Sequence, residues 1–146
     1  MTELDKRVIS DWLAVLVEEV AAKGASRTDG EVRKRCASAH YKAIHMEEQI
    51  RGLKGNLSGF IQFLQTKMDW IVEHDTTART ITANENKPDC VCPLHREGLL
   101  SSPALCECSR GFAEEMFGYI IGKKVEASVV ESVLRKGTRC IYKINY

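Results

Sequence analysis

The sequence predicts an α+β fold in which N-terminal helices pack with an antiparallel sheet made of two hairpins and an intervening helix. Three observations predict it. Apolar residues recur at three- and four-residue spacing through residues 1–67. From Met68 they switch to alternation, with β-branched residues around a polar turn. The alternation returns over residues 125–144, after a second helical stretch. No linker, internal repeat or low-complexity tract interrupts this order. The chain therefore reads as a single domain over residues 1–146, with a helical part at 1–67, an α+β part at 68–146 and a cysteine-rich loop at 89–111.

Residues 4–23 form the first expected helix. Leu4, Val8, Trp12, Val15, Leu16 and Val20 make its apolar stripe, Ile9, Leu13 and Val17 widen it, and Gly24 suits its end. So broad a face has to be covered by the rest of the domain or by a second copy, and a homodimer is expected. The second helix opens with a capping-box pattern at Thr28, Asp29, Gly30 and Glu31. It continues as a narrow seam of Val32, Cys36, Ala39, Ala43, Met46, Ile50 and Leu53, a spacing that packs on another helix. Cys36 and His40 share a face there and read as packing residues.

Gly52 to Gly55 break that helix. A third runs over residues 56–68 with Leu57, Phe60, Ile61 and Leu64 inward. Residues 68–84 form the first hairpin, with Trp70, Val72 and His74 on one face and Asp75, Thr76 and Thr77 at the turn. Residues 111–121 form the intervening helix, with Phe112, Met116, Tyr119 and Ile120 on one side, stopped by Gly122. Residues 125–134 form a strand with Val125, Ala127, Val129, Glu131 and Val133 on one face. A turn at Arg135, Lys136 and Gly137 leads to a last strand alternating Cys140, Tyr142 and Ile144. His40, His45 and His74 read as surface or core histidines, and Trp12, Trp70 and Tyr119 as core aromatics.

Composition narrows the function classes. Hydrophobic residues at 44% and charged residues at 28% suit an ordinary globular protein. Lys plus Arg at 21 against Asp plus Glu at 20 leaves a formal charge of +1, so no nucleic-acid partner is expected. Asp11, Glu18 and Glu19 interrupt the first apolar stretch, so it reads as no signal peptide, and no apolar run is long enough to suggest a membrane partner. A cytoplasmic location follows as the expectation, with reduced thiols.

In that setting the six cysteines point to metal or to thiol chemistry before disulfides. Four of them lie in the stretch DCVCPLHREGLLSSPALCECSRG as two Cys-x-Cys pairs, Cys90/Cys92 and Cys106/Cys108. Zinc in structural sites wants four ligands at tetrahedral corners, and thiolates supply both charge and softness. The two pairs meet if the segment between Pro93 and Pro103 folds over. One intervening residue leaves little room for both sulfurs of a pair to point at one ion, so His95 and Cys140 stand as alternate ligands. The same thiols allow a second reading, a hydrolase: Cys106 and Cys108 precede the expected helix start at Gly111, where the helix dipole favours a thiolate nucleophile, with His95 as base. A third is a structural or partner-binding protein using the apolar face of the first helix. A metal-binding module that takes a small molecule in an apolar pocket between sheet and helices leads, and an enzyme follows it.

The segment GFAEEMFGYIIGKKVEASVVESVLRKGTRCIYKI, residues 111–144, resembles the C-terminal part of the 4-vinyl-reductase-type domain. The resemblance lies in a Gly opening an amphipathic helix, Gly-x-x-Val, Glu-Ser where Glu-Cys is usual, a Gly-containing turn and Cys-x-Tyr. It implies a compact α+β domain, often dimeric, that binds small hydrophobic molecules in sensors of phenols and xylenes. It also implies zinc ligands before the helix, on the penultimate strand and on the last strand. Cys106 and Cys140 match the first and last. The penultimate-strand positions fall on Val129 and Ser132, which are not ligands, and Glu131 should point to the opposite face. Cys90, Cys92 and Cys108 are then the replacements. The loop is also similar to that of small uncharacterised bacterial proteins related to thiazoline-carboxylate hydrolases.

Overall fold

The computed structural model describes residues 1–22 and 27–146, apart from the side chains of residues 12, 19–22 and 27–33. The expected helix stop at Gly24 and the capping-box side chains of Thr28 and Glu31 lie outside the described residues.

Helix α1 (Glu3–Ala22) begins with a capping box that the sequence reading overlooked. The Thr2 hydroxyl accepts from the Asp5 amide at 3.1 Å, and the Asp5 carboxylate accepts from the Thr2 amide at 2.9 Å and from its hydroxyl at 2.7 Å. The bonds from Thr2 hold the Asp5 carboxyl below its ordinary pKa. Helix α2 (Arg27–Ala43) and helix α3 (Met46–Ile50) replace the single long helix expected up to Leu53. His45 adopts a left-handed backbone with φ 54°, which stops the i to i+4 ladder between them. The seam rotates accordingly. Ala37 and Tyr41 are buried from α2, whereas Cys36, Ala39 and Ala43 are exposed; of the expected seam, Met46 and Ile50 are buried in the core and Leu53 packs against it half-buried.

Helix α4 (Leu57–Lys67) starts at Asn56, whose side chain accepts from the Gly59 amide at 2.9 Å. Strands β1 (Ile71–Asp75) and β2 (Thr80–Asn84) form the expected first hairpin, with Val72 inward and Ile71 exposed. A short helix α5 (Pro93–Arg96) lies inside the cysteine loop. Helix α6 (Leu105–Ile121) follows and ends on Gly122, whose φ of 81° is the left-handed cap that glycine adopts without steric cost. Strand β3 (Glu126–Glu131) pairs antiparallel with β4 (Ile141–Asn145), and a bulge between Val129 and Glu131 shifts the register.

The two hairpins join through β2 and β4 into one four-stranded antiparallel sheet of order β1-β2-β4-β3, which makes the fold α+β. Its inner face carries Val72, Ile81, Ala83, Ala127, Tyr142 and Ile144. Phe60 and Leu64 of α4 and Met116, Phe117 and Ile120 of α6 cover that face, all fully buried. Phe60 and Phe117 meet edge to face at 5.2 Å between ring centroids.

Candidate functional site

The cysteine loop docks where the sheet end meets the first turn of α6. The ladder between β2 and β4 continues one step beyond Asn84 and Ile141, with the Glu85 amide donating to the Cys140 carbonyl at 3.0 Å. That bond sets Glu85 and Cys140 at the open end of the sheet. Residues 86–89 carry the chain outward and Cys90 turns back in; it is 7% exposed, against 6% for Cys140 and 5% for Cys106. Three thiols from three separated segments are thus buried at one end of the sheet.

Ser132 holds this arrangement together. It is 2% exposed, and its hydroxyl lies 2.9 Å from the Cys106 sulfur and accepts from the Leu134 amide at 3.1 Å. The Cys140 thiol lies beside the same side chain, which offsets part of the upward shift that burial gives it. The Ser132 carbonyl accepts from the amides of Arg135 and Gly137, at 3.0 and 2.8 Å, which closes the turn before β4. Gly137 is required there, because a Cβ would overlap Glu131 and approach the Ser132 carbonyl to 2.8 Å.

Burial governs the electrostatics. It pushes the Cys90 thiol up to about 11, with the Cys140, Cys92 and Cys106 thiols adding to the effect, and pushes Cys140 up as well, with Glu85 and Cys106 adding. Burial also raises the Glu85 carboxyl to about 7 and pushes the Tyr142 phenol up, next to Glu85, Cys140 and Cys106. The Cys90 and Cys140 thiols are therefore protonated near neutrality. A cation would reverse that preference, since it supplies the charge that makes thiolate ligands stable in a buried place.

Helix α6 starts six residues earlier than the expected Gly111, and this separates the second Cys-x-Cys pair. Residues two apart on an α-helix point about 200° from each other. Cys106 faces the sheet. Cys108 faces α2, where burial raises its thiol to about 11 with Cys36 and Cys92 adding. Ser38 and Glu115 bond at 3.3 Å on that same flank. Cys106 and Cys108 thus stand on different sides of the helix, and Cys140 and Ser132 take the place beside Cys106 that the sequence reading gave to Cys108. Cys92 caps the N-terminus of α5 between the two groups, adding to the shifts of both Cys90 and Cys108.

His95 lies on α5 with its Nδ1 atom buried and unbonded. Among the described residues no hydrogen bond joins it to Cys106 or Cys108. Among the described residues, no three His, Cys, Asp or Glu side chains stand close enough to hold a metal ion as they are placed. Glu85 and Ser132 are the site residues that sequence reasoning missed. Glu85 carried no motif; Ser132 had a signal, the Glu-Ser pair, and was set aside because a hydroxyl is a poor zinc ligand.

No family model matches the chain, and no curated protein does. Among solved structures, subunit 3 of a trafficking protein particle complex from Naegleria fowleri, covalently bound to palmitic acid, is similar over 99% of this chain and 96% of that chain. The identity is 10% and the TM-score 0.40, a likeness that carries no argument. No helix among the described residues is long and apolar enough to cross a membrane.

Proposed function

We propose that the protein is a metal-binding module in which a thiophilic divalent cation, zinc first, ties the cysteine loop to the sheet end and to α6. The observation that carries this reading is the burial of Cys90, Cys106 and Cys140, from three separate segments, around Ser132 and beside Glu85. The donor set fits the ion: three soft thiols would hold it, with Cys92 or the Glu85 carboxylate as the fourth group. The metal would supply positive charge in a place that otherwise keeps these thiols protonated. As placed, the groups do not stand at coordination distance, so an ion would draw the loop inward, and binding energy would become folding energy for residues 89–104.

This reading keeps the expected binding-module class, and it changes the expected ligands from Cys90, Cys92, Cys106 and Cys108 to a set that includes Cys140 and omits Cys108. The small hydrophobic molecule and the homodimer belong to the same proposal. The molecule is supported by the 4-vinyl-reductase-type resemblance, and the homodimer by the exposed apolar residues of α1.

Elemental analysis of the purified protein tests the metal. About one zinc per chain is expected. Cys90→Ser, Cys106→Ser and Cys140→Ser should each lose it, and Cys108→Ser should keep it. Zinc retained by all three of the first group, or lost from Cys108→Ser alone, refutes the assignment. Thiol alkylation gives the second readout: in loaded protein Cys90, Cys106 and Cys140 react slowly, and a chelator speeds them together.

A further inference from the structure

Helices α2 and α6 pack side by side and run in the same direction. His40 and Tyr41 of α2 meet Phe112 of α6, with ring centroids 5.0 and 5.7 Å apart. Farther along, the Gly55 amide donates to the Ile120 carbonyl at 2.8 Å, so the contacts advance together along the two segments. One helical turn back from His40 stands Cys36, and one turn back from Phe112 stands Cys108. Residues one turn apart share a face of a helix. In parallel helices the same step on each side carries one contact to the next, which places the two thiols beside each other across the α2–α6 seam. The electrostatics agree: of the thiols that act on Cys108, Cys36 has the larger effect, ahead of Cys92. Both thiols are free, Cys36 exposed and Cys108 half-buried.

We propose that Cys36 and Cys108 are a redox pair that a peroxide converts into a disulfide joining α2 to α6. A disulfide needs Cα atoms about 4.4–6.8 Å apart, a separation that facing positions supply on helices whose axes lie about 8–10 Å apart. Cys36 reacts first, because the sulfur open to solvent is the one a peroxide reaches. Its thiolate attacks the O–O bond and takes one oxygen as sulfenic acid, and the other oxygen leaves with the thiol proton as water or an alcohol. The Cys108 sulfur then attacks the Cys36 sulfur. The S–S bond forms, the S–O bond breaks, and hydroxide leaves with the Cys108 proton as water. The two thiols give up two electrons and the peroxide takes both. A dithiol reductant reverses the bond by exchange. The tether fastens α6 close to its start, in the same turn as Cys106. It is independent of the metal reading, because Cys36 and Cys108 lie outside the proposed ligand set and pair with or without zinc.

Treatment of the full chain with an equimolar dose of hydrogen peroxide, then alkylation, proteolysis and mass spectrometry without reductant, tests it. A linked peptide pair holding Cys36 and Cys108 of one chain is expected, with two of the six thiols lost and both restored by dithiothreitol. Zinc-loaded and chelator-treated protein should give the same pair. Cys108→Ser should form no link and leave Cys36 as a sulfenic acid that a cyclic diketone traps. Cys36→Ser should keep Cys108 open to alkylation after the same dose. Both variants replace a thiol outside the core by a hydroxyl and should keep the circular dichroism of the wild type. A wild-type Cys108 that pairs with Cys92 instead, or stays open to alkylation once Cys36 is oxidised, overturns the inference. So does a link through Cys36 that forms only between chains, or one that forms only after chelation.

Discussion

Ser132 is the side chain on which the buried thiols converge, and its chemistry limits what the site does. Its hydroxyl lies 2.9 Å from the Cys106 sulfur and beside the Cys140 thiol, but it brings no charge and is a weak ligand for a soft cation. Ser132→Cys would put a third sulfur where two already meet. The expected result is zinc affinity at least roughly tenfold higher in a chelator competition; unchanged affinity would show that the ion sits elsewhere in the loop. His40 makes a separate prediction. Its ring packs at 5.0 Å from Phe112, and burial holds its pKa below the ordinary 6.5. The fold prefers the neutral ring, so this stabilisation is complete above about pH 6.5 and is lost as pH falls through the lowered value. Glu85 acts in the opposite sense, since its raised carboxyl gains stability as pH falls below about 7, so the His40 effect is read as a difference: between about pH 7 and pH 5, chemical denaturation should show the stability of the wild type falling relative to that of His40→Gln. An identical slope in the two proteins would count against it.

Helix α6 connects the core to the site. Its early turns bring Cys106 to the sheet end, and its later turns bury Met116, Phe117 and Ile120 under the inner face. A change deep in the core should therefore reach the thiols. Phe117→Ala removes a fully buried ring and its edge contact with Phe60, and should cost about 3–5 kcal/mol in urea denaturation. Because the same helix positions Cys106, the variant should also bind zinc more weakly; normal affinity in a destabilised protein would show that the first turn is held by the loop alone. The start of α6 at Leu105 is also what divides Cys106 from Cys108. Had the helix begun at Gly111, both thiols would have lain in extended chain and the two Cys-x-Cys pairs could have faced each other. Glu107 fastens the observed start by pairing with Arg110 at 3.2 Å and with Arg135 at 3.1 Å, across to the turn before β4.

At the scale of the whole molecule, a core built on α2, α3, α4, α6 and the sheet is joined by a cysteine loop at one end and a solvent-facing helix at its start. Metal binding requires protons to leave thiols that burial keeps protonated, so zinc affinity should rise with pH across the neutral range. The expected signature is release of protons on loading in weakly buffered solution; loading without proton release would mean that the ligands are not these thiols.

The local pattern was legible in the sequence because it arises from nearest neighbours. Alternation at Val72, Ala127, Tyr142 and Ile144 predicted the two hairpins, Gly122 predicted the end of α6, and Phe60 and Leu64 predicted the inward face of α4. The α+β class follows from those elements. The helix break at His45 carried no proline or glycine to announce it, and the α2 seam was misplaced for that reason. The site depended on separations that no local pattern contains. Cys90, Cys106, Ser132 and Cys140 come together only because β4 pairs with β2, which brings residue 140 next to residue 85 and the loop behind it. Helix phase then sent Cys106 to that cluster and Cys108 to α2. Composition and spacing determined that thiols would gather near the loop; tertiary pairing decided which ones, because the partners of a buried side chain are set by the packing of distant segments.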